Sequence, residues 1–451
     1  MLRLFGTDGI RGIAGDDLTC ELAMQVGEAL CNILSESGRY RPTILIGRDT
    51  RQSSPMLAAA LAAGICSCGG DAVFVGVCST PAVAFLVKSH GASAGVMISA
   101  SHNPYQYNGI KIFGSDGFKL SDELEGRIED MIFASEKQKH SGQIGKISNL
   151  EGAQSEYIDY LKNSFGISLR GIRVGIDCAN GSASTTARAL FEGLGAECYM
   201  LGDMPNGENI NLSCGSTCLD GIRELVNREK LDLGVAFDGD ADRCLAIDSQ
   251  GREIDGDFIM AILALDLKKD GKLKKNTVVG TVATNMGFLK FCEEYGISYI
   301  SSKVGDRYVL EMLNQEGYSL GGEQSGHIIL RELATTGDGQ LTAVALLSCI
   351  KKSGKSLSEL SSVMKKYPQI TINIQANKDE KLDFLVDNEI KDILDKTSRK
   401  IGNSGRLLAR PSGTEPLIRI MVEGENEDEI KKILSDTADK IKMRLLEIAS
   451  D

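Results

Sequence analysis

The chain has 451 residues, 42% of them hydrophobic and 25% charged, and a formal net charge of −12. That balance describes an ordinary soluble protein of roughly three domains rather than a disordered or membrane-spanning one. It also argues against non-specific nucleic-acid binding, which needs excess cations to displace phosphate counterions. An anionic small substrate stays open, provided positive charge is gathered locally.

The start, Met1 to Gly6, has no apolar core of signal-peptide length, and no later run is long enough to span a bilayer. A cytoplasmic protein without membrane or nucleic-acid partners is therefore expected. Twelve cysteines are scattered through apolar patterns; only Cys66 and Cys68 lie close together, with no second pair at zinc-type spacing. Reduced, buried thiols are the expectation.

Phe5-Gly6-Thr7-Asp8-Gly9-Ile10-Arg11-Gly12 is too rich in glycine for a helix, so it is either a hairpin turn or a tight path that aims Arg11 at a fixed point. A helix follows from about Glu21 to Leu34, then an apolar strand, Thr43–Gly47, closed by Arg48 to Arg51. The next helix begins near Ser54-Pro55, where serine can cap and proline fits the first turn. Strand, polar loop, helix and strand recur through Arg173–Asp177, Thr185–Leu194 and Glu197–Leu201, and again through Thr277–Gly280, Phe288–Tyr295 and Ser298–Ser301. Three α/β domains on one plan are predicted, spanning 1–152, 153–254 and 255–367. The tail, 368–451, reads as a smaller α+β domain: an alternating strand Ile370–Ile374, a strand Leu417–Val422 and an amphipathic helix capped by Asn426.

Chemistry is suggested where apolar strands stop. Val96-Met97-Ile98 has the look of a strand buried on both faces, and it ends at Ser99-Ala100-Ser101-His102-Asn103-Pro104. The carboxyl ends of such strands are where open α/β sheets bind ligands. Ser101, with His102 beside it and Lys111 a short way on, could receive and return a phosphoryl group; the same residues also make an ordinary turn. Leu233 to Phe237 runs directly into Asp238-Gly239-Asp240-Ala241-Asp242-Arg243. Carboxylates ~4 Å apart repel by about 4 kcal/mol at an effective dielectric of 20. Three on one strand end therefore suit a hard cation, magnesium above all if a phosphate completes its shell, unless the turn is simply solvated. An EF-hand is excluded because Arg243 stands at its glycine position and Ser249 at its closing glutamate position.

Farther on, Gly321-Gly322-Glu323-Gln324-Ser325-Gly326-His327 offers a carboxylate, an amide and a hydroxyl to sugar hydroxyls or an amino group. Lys303 and Arg307 place two cations in a loop just upstream. Arg410-Pro411-Ser412-Gly413-Thr414-Glu415 gathers a guanidinium, hydroxyls and backbone amides into a phosphate nest or a polar turn, with Arg419 on the next strand.

These motifs, in this order along essentially the whole chain, resemble the α-D-phosphohexomutase superfamily, and its hexosamine-phosphate branch in particular. Relatives acting on mannose or glucose phosphates usually carry methionine where this chain has Gln324. The resemblance implies four domains around a central cleft and conversion of glucosamine 6-phosphate to glucosamine 1-phosphate, supplying UDP-N-acetylglucosamine synthesis. It implies a phosphoserine at Ser101, and a hexosamine 1,6-bisphosphate as intermediate and activator. Mg2+ would be held by Asp238, Asp240, Asp242 and the serine phosphate. Arg11, His102 and Lys111 would surround the transfer. Arg243, Lys303, Glu323, Ser325 and His327 would meet the substrate, and Arg410, Ser412, Gly413, Thr414 and Arg419 the unreacting phosphate. A homodimer is also implied. Cys218 departs from the pattern, since the family more often has histidine there.

Other classes fit less well. Gly354-Lys355-Ser356 has Cys349 where a nucleotide phosphate loop needs glycine, and Gly322 to Gly326 lacks the hydrolase spacing. A non-catalytic sugar-phosphate sensor would be expected to have lost Ser101 or part of the aspartate trio. A phosphomannomutase or phosphoglucomutase is the alternative within the superfamily.

Overall fold

The apolar runs become the central strands of four sheets, with seven, five, four and three strands. The computed structural model describes residues 4–6, 8–36, 41–134, 143–412 and 416–448. In the first sheet Thr43–Arg48 lies between the parallel strands Asp71–Val77 and Ala94–Ile98. Ala94–Ile98 pairs antiparallel with Tyr107–Gly114, which in turn pairs with Gly9–Ile13. Every residue of Ala94–Ile98 is buried, because helices cover both faces of a parallel sheet. The second sheet is centred on Leu233–Phe237, parallel to Arg173–Asp177 and antiparallel to Cys244–Asp248. In the third, Thr277–Thr281 lies between Ser298–Ser302 and Leu320–Gly322. The fourth is antiparallel, with Leu417–Gly424 between Gln369–Gln375 and Gly405–Pro411.

Local chemistry moves several expected boundaries. The helix placed at Thr185–Leu194 is a 3-10 turn, Ser182–Thr185, followed by the helix Ala187–Gly193. The break falls at Thr186, whose buried hydroxyl is held by the Gln340 amide, Nε2 donating at 2.9 Å. The helix Ser54–Ser67 lacks the expected side-chain cap: Ser53 stands at the cap position without such a bond, and the Ser54 hydroxyl, inside the first turn, donates to Asp49 at 2.6 Å. Gly321 and Gly322 belong to a strand rather than to the loop after it. Asn426 does cap the last helix, accepting from the Glu429 amide at 3.2 Å. All twelve cysteines are free thiols, nine of them buried.

The largest cluster of buried apolar side chains runs from Leu45 to Met364 and joins the first three sheets into one core. A separate cluster, from Ile374 to Leu445, belongs to the C-terminal unit alone. Polar contacts join that unit to the third domain. Asn285 exchanges two hydrogen bonds of 2.9 and 3.0 Å with Tyr367, the residue that leads into the unit, and the unit's buried Glu423 accepts from the Met286 amide at 2.7 Å. Among the described residues, no helix is long and apolar enough to cross a membrane.

Candidate active site

The strand ends Ile98 and Phe237, from two different sheets, bring Ser101 and the aspartate turn together. Ser101 is 1% exposed, and its Oγ donates to Asp238 Oδ2 at 2.5 Å. Its φ is +53°, a left-handed conformation that costs a non-glycine residue free energy and is typical of functional turns. Asp238, Asp240 and Asp242 are all buried and offer ligand oxygens within 4.8 Å of one another. Asp240 Oδ1 and Asp242 Oδ1 are buried and have no hydrogen-bond partner among the described residues. Orphaned carboxylate oxygens converging beside a hydroxyl fit a hard divalent cation.

Electrostatics divide the trio. Burial raises the Asp238 pKa well above the usual range, and its carboxylate neighbours add to the effect. Burial acts on Asp240 in the same direction, but the Lys111 ammonium 2.9 Å away overrides it and holds the carboxyl far below its ordinary value. Lys111 is 3% exposed and also lies 3.2 Å from Asp8 and 3.5 Å from Asp242. Arg11 pairs with Asp8 and donates from Nη1 to the Asn103 side chain at 3.4 Å. His102 Nδ1 lies 3.5 Å from Ser101 Oγ. Burial, with Arg243 and Arg11 adding to it, pushes the His102 imidazole down to about 4.

Of the residues expected at the sugar, Arg243 and His327 are joined by an isolated β-bridge, and Arg243 Nε is buried with no hydrogen-bond partner among the described residues, 3.9 Å from Asp242 Oδ1. Both ring nitrogens of His327 are buried and make no hydrogen bond among the described residues, Nε2 lying 4.0 Å from an Asp306 carboxylate oxygen. The ring rests on Gly337, where an added Cβ would come within 2.4 Å of Nε2. Ser325 Oγ is likewise buried and unbonded among the described residues, while Glu323 accepts from the Gly305 amide at 2.9 Å. Lys303 is exposed, its ammonium 5.5 Å from the centre of the Tyr308 ring. The Gln324 amide is bonded to Asp255 at 3.1 Å, and Asp255 pairs with Lys366 at 2.6 Å. These three line a cavity of about 650 Å³ with Ser325 and Tyr367.

In the C-terminal unit Arg410 and Arg419 are cross-strand partners. Burial and then Arg419 lower the Arg410 pKa, the signature of two cations set side by side. Arg410 ends a strand rather than opening a loop. Ser412 is buried, and its carbonyl accepts from Lys381 at 2.9 Å. Gly413 and Thr414 lie outside the described residues.

Reading the sequence missed four contributors. Asp8 links Arg11 to Lys111, and Thr80 donates to Asp240 Oδ2 at 2.6 Å. Arg51 and Asn211 hold the backbone of the serine loop from opposite sides. Asp8 stood within the opening glycine-rich motif and Arg51 at a strand end, so position was a signal for both. Thr80 and Asn211 carried none.

Four domain families described as phosphoglucomutase/phosphomannomutase match the chain: alpha/beta/alpha domain I at residues 2–139, domain II at 155–251, domain III at 255–367 and the C-terminal domain at 372–440. A phosphoglucosamine mutase from Caldicellulosiruptor saccharolyticus is 51% identical over 450 residues, covering 99% of this chain and all of that one. The chain belongs to the phosphoglucosamine mutase family. As a phosphohexomutase it shares its fold with a phosphoglucomutase/phosphomannomutase family protein from Burkholderia thailandensis, with a TM-score of 0.81 at 22% identity, covering 98% of this chain and 97% of that one. An Aspergillus fumigatus N-acetylphosphoglucosamine mutase, solved with GlcNAc-6P and magnesium, matches at a TM-score of 0.68 and 16% identity over 97% of this chain and 95% of the other. Membership in the phosphoglucosamine mutase family makes the chain an isomerase, and the buried aspartates give it the means to hold a metal ion.

Proposed function

We propose that the chain interconverts glucosamine 6-phosphate and glucosamine 1-phosphate by way of a phosphoserine at Ser101 and a hexosamine 1,6-bisphosphate. The observation that carries this is the Ser101 hydroxyl 2.5 Å from a buried trio of carboxylates. Asp238, Asp240 and Asp242 would hold Mg2+, which neutralises charge on the phosphoryl oxygens when bound.

The remaining work falls to the chain's own groups. Arg11, Arg243 and Lys111 place positive charge around the serine oxygen, where a transferring phosphoryl group spreads negative charge. In the first half-reaction the bond from phosphorus to Ser101 Oγ breaks, and one from phosphorus to a sugar hydroxyl oxygen forms. The hydroxyl's proton leaves to a base. Lys111 serves as a cation among Asp8, Asp240 and Asp242, which leaves the imidazoles of His102 and His327 as proton carriers. Glu323 and Ser325 meet the sugar hydroxyls, and Lys303 stands at the rim. Arg410, Ser412, Gly413, Thr414 and Arg419 take the phosphate that is not reacting. The bisphosphate then turns over in the cleft and returns its other phosphate to Ser101. Glucosamine specificity rests on the 51% identical relative, which is named for that sugar.

The test is turnover of glucosamine, glucose and mannose 6-phosphates with magnesium and a trace of hexose bisphosphate, for the native chain and Ser101→Ala. Preference for glucosamine phosphate, abolished by the substitution, is expected. Preference for another sugar would overturn the substrate, and no turnover of any would overturn the mutase reading.

A further inference from the structure

The backbone of the serine loop is held by an arrangement that none of the expected site residues supplies. The Ser101 carbonyl accepts from Arg51 Nη2 at 2.8 Å and from Asn211 Nδ2 at 2.9 Å. The Asn103 carbonyl accepts from the same two side chains, at 2.8 Å from Arg51 Nη2 and 3.0 Å from Asn211 Nδ2. Two donors thus fill both acceptor positions of two carbonyls. Arg51 is 1% exposed and anchored by Asp49, Nε to Oδ2 at 2.7 Å, so one jaw is rigid and belongs to the same sheet as the serine.

Asn211 comes from the loop after the strand Glu197–Leu201 and is attached to the sheet that carries the aspartates. Its own φ is +58°, and its amide N–H donates to the Ala179 carbonyl at 2.8 Å, which fixes the side chain's point of departure. The turn of Gly239 fits beneath the same bonds. A Cβ there would lie 2.5 Å from the Ser101 carbonyl oxygen and 3.0 Å from Asn211 Nδ2, so glycine lets aspartate turn, serine loop and asparagine converge. The Asn103 side chain meanwhile reaches Arg11.

We propose that Asn211 is a positioning residue for phosphoryl transfer. By donating across the domain boundary to the carbonyls of Ser101 and Asn103, it holds the left-handed serine in place and registers its Oγ against the aspartate trio. The inference rests on the reaction proposed above. Misplacing a reacting atom by about 1 Å can cost on the order of 100-fold in rate. Loosening one jaw while Arg51 remains is therefore expected to lower kcat by roughly 10-fold or more, with KM for the sugar phosphate within about twofold.

Two variants separate positioning from packing. Asn211→Asp keeps the shape and tolerates positive φ but removes both donated hydrogens and sets a charge against two carbonyls. Asn211→Gly keeps the backbone conformation and removes the side chain. Each is compared with the native chain in steady-state kinetics and in hydrogen exchange of the peptide spanning residues 99–105. A fall in kcat for both variants, with KM held and faster exchange in that peptide, is the expected result. Native kcat in Asn211→Asp would overturn the inference, as would a lost kcat with unchanged exchange. If the native chain turned over no sugar phosphate while the variants still exchanged faster, the mutase reading would fail and the clamp itself would stand.

Discussion

Replacing Arg51 by alanine removes the most fully bonded charged side chain in the first sheet's loops. Its guanidinium donates to Asp49, to the carbonyls of Ser101 and Asn103 at 2.8 Å each, to Tyr107 at 3.0 Å and to Pro104. The carbonyls of Ser101 and Asn103 keep Asn211, and Pro104 keeps the Tyr107 amide, so the main loss is at Asp49, which is 0% exposed and keeps hydrogen bonds from Ser54, Ser99 and the residue-51 amide but loses its countercharge. Breaking a buried pair by removing one partner costs about 3–5 kcal/mol. That is a large share of a typical total of about 5–15 kcal/mol. Melting should fall by roughly 5–15 °C, the lower figure applying if more of the chain unfolds together. Arg51→Lys keeps a charge without the planar fork and should lose roughly half as much. Calorimetry on both variants is the assay. A midpoint for Arg51→Ala within about 2 °C of native would refute the reasoning, since an unpaired buried carboxylate cannot be that cheap.

Gly337→Ala sets a methyl 2.4 to 2.6 Å from three atoms of the His327 ring. Overpacking should cost about 1–3 kcal/mol in stability, and a displaced imidazole should lower kcat; an unchanged kcat would show that the ring's place is immaterial. Asp338 is 2% exposed, and burial pushes its carboxyl up to about 6 despite bonds from the Leu341 amide and the Tyr157 hydroxyl. Its folded form binds the proton more tightly than its unfolded form, so this stability is present below about pH 4 and is lost as pH rises to about 6, roughly 3 kcal/mol in all. Urea midpoints of native and Asp338→Asn at pH 4.5 and 7 should show a smaller difference in the variant. Magnesium should stabilise the native chain by about 2.7 kcal/mol at 100 times the dissociation constant, read as a melting temperature that climbs with the logarithm of its concentration. Asp240→Asn should flatten that response, and chelation should stop turnover without unfolding the chain.

Ser101 and the aspartates were legible because each follows an apolar run whose length and branching mark a buried strand. Their meeting came from the resemblance alone, since it depends on how two sheets dock, which the hydrophobic pattern does not report. The same limit hid Asn211, which lies 110 residues from the carbonyl it holds. It hid the break at Thr186 too, because the partner that captures that hydroxyl is Gln340, 154 residues away. The failed cap at Ser54 has a nearer cause. The cap position falls to Ser53, so the Ser54 hydroxyl sits in the first turn and donates to the buried Asp49 carboxylate. Gln324 was a family marker in sequence; in the fold its amide belongs to Asp255 and the connection toward the C-terminal unit.

The polar contact between that unit and the third sheet sets how the molecule can change shape. Asn285, Tyr367, Met286, Glu423 and the Arg406 bond to the Thr284 carbonyl at 2.7 Å are all groups that water can serve as well. Separating them breaks hydrogen bonds that water can replace, whereas prying apart the shared core of the first three sheets would expose many buried apolar side chains. A displacement of the C-terminal unit would therefore leave the three sheets that bear serine and aspartates together and carry the pair of arginines with it. On the function proposed above, a sugar carrying two phosphates would then be released at one end and gripped again while serine and aspartates keep their register.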